Sequence, residues 1–142
     1  MRYAYPMLLE PDESGSIVVS FPDVPGALTE GSDEAEATAL AEDCLLAALG
    51  GYVKLGLAIP RPSLADGGPL VAVPPLVAAK LGLYEAARDA QLTHVALAER
   101  LGVTEAVVRR LLDIDHRSHI GEVERALALL GKRLVVEVLE AA

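Results

Sequence analysis

Apolar side chains alternate with others along Arg2–Leu9, which puts Tyr3, Tyr5, Met7 and Leu9 on one side of an extended strand. The same period of two returns within Ser16–Phe21 at Ile17, Val19 and Phe21. Pro11–Ser16 turns between these runs, so they predict a hairpin. After the loop Pro22-Asp23-Val24-Pro25-Gly26, the short run Ala27–Glu30 predicts a third strand that stops at Gly31. The period then lengthens to that of a helix. Ser32 is the expected cap, Asp33, Glu34 and Glu36 suit the positive end, and Leu40, Ala41, Cys44, Leu45, Ala48, Leu49, Tyr52 and Val53 form the apolar stripe. Gly50 and Gly51 weaken its later turns. Pro60–Pro69 reads as loop and Leu70–Val73 as a fourth strand, for the order βββαβ.

Pro74 and Pro75 end that strand and open a helix at Leu76, so the division falls here: an α+β domain over residues 1–74 and an all-α domain over 75–142. In the second part, Leu76–Ala90 predicts one helix and Ile120–Leu130 another, the latter with Val123, Leu127 and Leu130 inward. Leu134–Leu139 is ambiguous. Its branched apolar residues suit a strand, and an apolar tail can pair with a second subunit.

Between those helices lies Leu97–Leu112, LAERLGVTEAVVRRLL, which has the spacing of a DNA-binding helix-turn-helix. Two helices that cross steeply over a short turn need a small residue at the crossing, here Ala98, and a left-handed residue at the bend, here Gly102. Thr93 and Thr104 are the expected N-caps. Leu97, Leu101, Val103, Val108 and Leu111 face inward, leaving Thr104, Glu105, Ala106, Arg109 and Arg110 outward. On such a motif the early outward positions of the second helix meet base edges, and later basic residues reach bases or phosphates. Arg109 and Arg110 are the leading DNA contacts. Glu105 can accept a hydrogen bond only from a donor such as cytosine N4. An ordinary helical hairpin with solvated arginines is the alternative.

The charge is unevenly spread. The chain has 142 residues and a net charge of −9; up to Pro74 it has 3 basic and 11 acidic residues, and from Pro75 it has 9 and 10, so the two parts carry −8 and −1. An acidic chain binds a polyanion only through a local basic face, and two copies of that face help. The high apolar content, 52%, points to surface buried between subunits. No stretch predicts a membrane span or a secretory signal, and one cysteine, Cys44, suits the reducing cytoplasm.

Catalytic constellations are weak. Two-metal hydrolysis needs carboxylates that converge on ions about 4 Å apart, whereas Arg2–Leu9, Ser16–Phe21 and Leu70–Val73 contain no Asp or Glu. Asp12, Glu13, Asp23 and Asp33 read as turn and cap residues. His116 and His119 lack a third metal ligand, and with Arg117 and Ser118 they suit phosphate contacts instead. Cys44 reads as a buried, inert thiol. No cofactor, metal or enzymatic activity is expected.

The segment FPDVPGALTEGSDEAEA, Phe21–Ala37, resembles the signature of the HicB antitoxin family, and VVRRLLDIDHRSHIGEVERALALLGKRL, Val107–Leu134, resembles its variant with a lambda-repressor-like helix-turn-helix. The resemblance implies a first domain like a reduced ribonuclease H fold without nuclease activity. It also implies a partner, the small basic mRNA-cleaving toxin HicA, an operator that the second domain would bind to repress the operon, and assembly into dimers or tetramers. Asp23, Val24, Pro25 and Gly26 are the candidate toxin contacts, because function concentrates in loops held on rigid elements. Thr104, Glu105, Ala106, Arg109, Arg110, Arg117 and Ser118 are the candidate DNA contacts. A free-standing regulator whose first domain senses a ligand is the competing reading.

Overall fold

The computed structural model describes residues 2–64 and 67–140. It divides into two compact units, Met1–Pro74 and Pro75–Ala142. The first is α+β, the second all-α.

In the first unit the expected opening strand is split. β1 (Ala4–Pro6) pairs antiparallel with β5 (Leu70–Ala72), whereas β2 (Leu8–Pro11) pairs with β3 (Ile17–Ser20). The chain changes sheets at Met7, whose N–H donates to Pro69 O. A proline closes each piece, Pro6 and Pro11, where the missing N–H costs no inner ladder bond. The order is therefore ββββαβ. The alternation nonetheless survives the split, for Tyr5 and Met7 are buried and Tyr3 and Leu9 half-buried. At the β2–β3 turn the Asp12 carboxylate accepts from Ser14 N, Ser14 Oγ and Ser16 N at 2.9, 2.7 and 3.0 Å. Ser14's hydroxyl foremost holds that carboxyl below its usual range.

β4 (Leu28–Gly31) completes the sheet in the order β2-β3-β4, antiparallel to β3 with Val19 opposite Thr29. The ladder carries β2 past Leu9 to Pro11, so Glu10 lies in a strand, opposite Val18, which is in turn opposite Glu30. Glu10 and Glu30 are thus two strand spacings apart, about 10 Å.

α1 (Glu34–Lys54) crosses β4 and β3 and continues through Gly50 and Gly51. Its cap is Asp33, one residue later than expected: Asp33 Oδ1 accepts from Glu36 N at 2.8 Å, while Ser32 donates to the Glu36 carboxylate. The fully buried line is Ala37, Ala41, Leu45 and Leu49, at helical spacing of four. Leu40, Cys44 and Ala48, expected in the stripe, are only partly covered. The helix comes so close to the end of β4 that a Cβ on Gly31 would overlap Ala37 N and lie 2.8 Å from Ala37 Cα.

The second unit holds α2 (Pro75–Asp89), α3 (His94–Leu101), α4 (Glu105–Leu112) and α5 (Ile120–Leu129). α2 packs on α4 and α5, and α3 packs on the same two. Leu81, Leu83, Leu97, Val108 and Val123 are at its centre. Leu134–Leu139 forms neither helix nor strand, and Val135, Val136, Val138 and Leu139 are exposed. Among the described residues no helix is long and apolar enough to cross a membrane.

Gly31→Ala forces α1 off β4 and should lower the stability of the first unit by about 2–3 kcal/mol in urea unfolding. An unchanged midpoint would contradict the close approach.

Candidate functional site

α3 and α4 meet over a tight turn built as the local sequence dictates. Gly102 is left-handed, φ 68° and ψ 33°; its N–H donates to Glu99 O and that of Val103 to Ala98 O, a Schellman closure. Thr93 Oγ1 accepts from Ala96 N at 3.1 Å and Thr104 Oγ1 from Val107 N at 3.4 Å, so both threonines cap their helices. Ala98 is buried at the crossing. Val103, expected inward, is 38% exposed, because the residue after a left-handed bend is carried away from the crossing. Leu112, not assigned inward from the sequence, is buried beside Val108 and Leu111.

The outward face of α4 presents Thr104, Ala106, Arg109 and Arg110 to solvent, with Glu105 half-buried. Arg109 and Glu105 form a 2.6 Å ion pair one turn apart. An exposed pair of this kind contributes about 0.3–0.5 kcal/mol, whereas a bidentate arginine–guanine contact discriminates by about 1–3 kcal/mol. A contact of that kind would outweigh the pair, so Glu105 does not lock Arg109 in place.

Beyond α4, the loop His116–His119 returns beside the helix, and Arg110, Arg117 and Ser118 line one cavity of about 290 Å³ together with His116, His119 and Glu122. Arg117 is exposed. Ser118 is not free for a phosphate: its Oγ accepts from Lys80 Nζ at 3.0 Å and lies 3.2 Å from His116 Nδ1. Among the described residues no group of three His, Cys, Asp or Glu side chains is placed to hold a metal.

Lys80 is the residue that sequence reasoning passed over. It is 0% exposed, and its ammonium donates to the carbonyls of Arg110, Asp113 and His116 at 2.8, 2.8 and 2.7 Å. Its three N–H groups are thus shared among these three carbonyls and Ser118 Oγ; two of the carbonyls are at the end of α4, where helical carbonyls lack partners and the dipole is negative. Burial pulls the Lys80 pKa below the ordinary lysine value, and the Asp113 charge partly offsets this. The only sequence signal is position, since Lys80 shares an inward stripe with Val77, Leu81 and Tyr84.

The loop of the first unit is placed differently from a free contact surface. Val24 is fully buried and belongs to the core, so its side chain is withdrawn from the candidate contacts. Its N–H donates to Phe21 O, and its carbonyl accepts from Ala27 N, which folds the loop inward. Asp23 is half-buried and accepts from Ser63 N and Oγ at 2.8 and 2.7 Å. Pro25 O accepts from the Tyr52 hydroxyl at 3.3 Å. Of the four candidate contacts, Pro25 and Gly26 are exposed.

Residues 4–82 match the family described as HicB_like antitoxin of bacterial toxin-antitoxin system. The chain belongs to the HicB-like antitoxin family. The match runs past the unit boundary into α2 as far as Gly82. Antitoxin HicB 1 of Photorhabdus laumondii is 38% identical over 134 residues, covering 94% of this chain and 86% of its own. Antitoxin HicB of Escherichia coli (strain K12) is 38% identical over 131 residues, 92% and 95% of the two chains. Antitoxin HicB of Pseudomonas fluorescens is 36% identical over 129 residues, 89% and 88%. Similarity to HicB antitoxins therefore includes both units.

Lys80→Met leaves three inward-facing carbonyls without their donor and should destabilise the second unit by roughly 2–4 kcal/mol in thermal or urea unfolding. A change below about 0.5 kcal/mol would contradict the buried contact.

Proposed function

We propose that this antitoxin binds and neutralises a HicA-type toxin through its first unit and represses its own operon by binding operator DNA through its second. Membership of the antitoxin family supports the toxin half. The observation that carries the DNA half is the α3–turn–α4 geometry: a left-handed Gly102, capped helices and an exposed α4 face with Arg109 and Arg110. On this reading α4 enters the major groove, Thr104, Glu105 and Ala106 approach base edges, and Arg109 and Arg110 reach bases or phosphates. Arg117 adds a phosphate contact from the following loop. Ser118 acts at one remove, by fixing that loop to Lys80.

A second copy of the basic face is required on this account. The chain carries −9, so a few arginines on one subunit give little attraction for DNA, whereas a dimer doubles them across two half-sites about one helical turn apart. The exposed Val135, Val136, Val138 and Leu139 supply apolar surface for self-association. Relatives named as antitoxins support a non-enzymatic regulator, and the single cysteine suits the reducing cytoplasm.

Replacing Arg109 and Arg110 by Ala should abolish operator binding in a mobility-shift assay and leave toxin neutralisation intact. Loss of both activities would refute the division of labour. Affinity of the unmodified chain should fall steeply with salt, and each phosphate-contacting arginine removed should reduce the slope of log K against log [salt] by about 1.

A further inference from the structure

The apolar stripe of α1 is wider than the sheet beneath it. Ala37, Ala41, Leu45 and Leu49 are sealed against β3 and β4, but Leu40, Cys44, Ala47 and Ala48 extend beyond β4, which is an edge strand. With Gly26, Leu28 and Thr29 these overhanging residues line an open groove of about 510 Å³. Leu28 is 65% exposed and Leu40 38%. Among the described residues no strand pairs with the outer edge of β4, which leaves a row of main-chain donors and acceptors beside the groove.

The elements that line this groove carry charge of one sign. From Tyr3 to Val53 the chain contains no Lys, Arg or His and ten Asp and Glu residues. That stretch supplies all of β2, β3 and β4 and all of α1 except its last residue, Lys54. Asp43 is on the groove wall, and Lys54 is eleven residues further along the helix, about 16 Å away. An apolar floor with an acidic rim is complementary to a segment that brings apolar side chains and its own cations. A second copy of this unit would bring another net −8, and a nucleic acid would bring phosphates, so charge disfavours both.

We propose that the β4–α1 groove is where the toxin docks, inserting a Lys/Arg-bearing segment whose apolar side chains cover Leu28, Leu40 and Ala47. This rests on the toxin-binding reading above and shifts the contact from the Asp23–Gly26 loop to the groove that Gly26 borders.

The test uses the full chain and, as probe, the HicA-type protein encoded in the same operon, with binding measured by calorimetry near physiological salt. Asp43→Lys and Leu40→Glu alter exposed positions, and each should raise Kd by about tenfold or more. Glu13→Lys, which reverses an exposed acid at the β2–β3 turn, should change it by less than about threefold. In the unmodified chain, bound toxin should slow maleimide labelling of Cys44, the sole thiol, by about tenfold. Thermal melts establish that each variant is folded. Failure of the unmodified chain to bind would overturn the toxin reading itself. Unimpaired binding by both groove variants, with Cys44 labelled equally fast in the complex, would overturn the groove alone. So would equal weakening by Glu13→Lys, which would indicate diffuse charge, or a change in oligomer mass with toxin affinity unaltered, which would assign the groove to a second copy.

Discussion

A buried ammonium tolerates no missing partner, and that constraint organises the second unit. Desolvating the Lys80 charge is unfavourable unless each of its N–H groups finds an acceptor, and the three carbonyls that meet it come from the end of α4 and the loop behind it. α4 therefore cannot shift along its axis, nor the loop swing away, without uncovering the charge. A leucine at this position would fill the volume but leave the carbonyls unpaired. The orientation of Arg109, Arg110 and Arg117 thus depends on a residue of α2 that faces away from their surface.

The first unit has a different organising constraint, the single sheet face available to a long helix. Because β4 ends the sheet, α1 is covered on one flank and overhangs on the other. Gly31 lets the helix press onto the strand end, and Asp23, tied to Ser63, holds the neighbouring loop against the chain that follows α1. Loop and helix are rigid parts of one rim.

Features set by nearest neighbours in sequence were readable in advance at the α3–α4 turn, though at α1 the cap is Asp33 rather than Ser32. Gly102 bends and Thr93 and Thr104 cap because glycine's freedom and a threonine hydroxyl act within three or four residues. The α+β class with an all-α part behind it followed from the change of hydrophobic period. Features decided by distant pairing were not readable. Alternation through Tyr5, Met7 and Leu9 is the same whether one strand or two are present, and only the partners, Leu70–Ala72 and Ile17–Ser20, divide them at Met7. Val24 has the flanking prolines of an exposed loop yet turns into the core. A lysine in a helix reads as solvated until three carbonyls are seen around it.

The ion pair between Glu105 and Arg109 also bears on selectivity. Under the DNA-binding reading, a phosphate met at random must displace a carboxylate already in contact, so every contact by this arginine is slightly discounted. A correctly placed base edge gains more than the pair contributes. On that reading the carboxylate would take about 0.3–0.5 kcal/mol from every contact this arginine makes, a proportionally larger share of a weak contact than of a strong one.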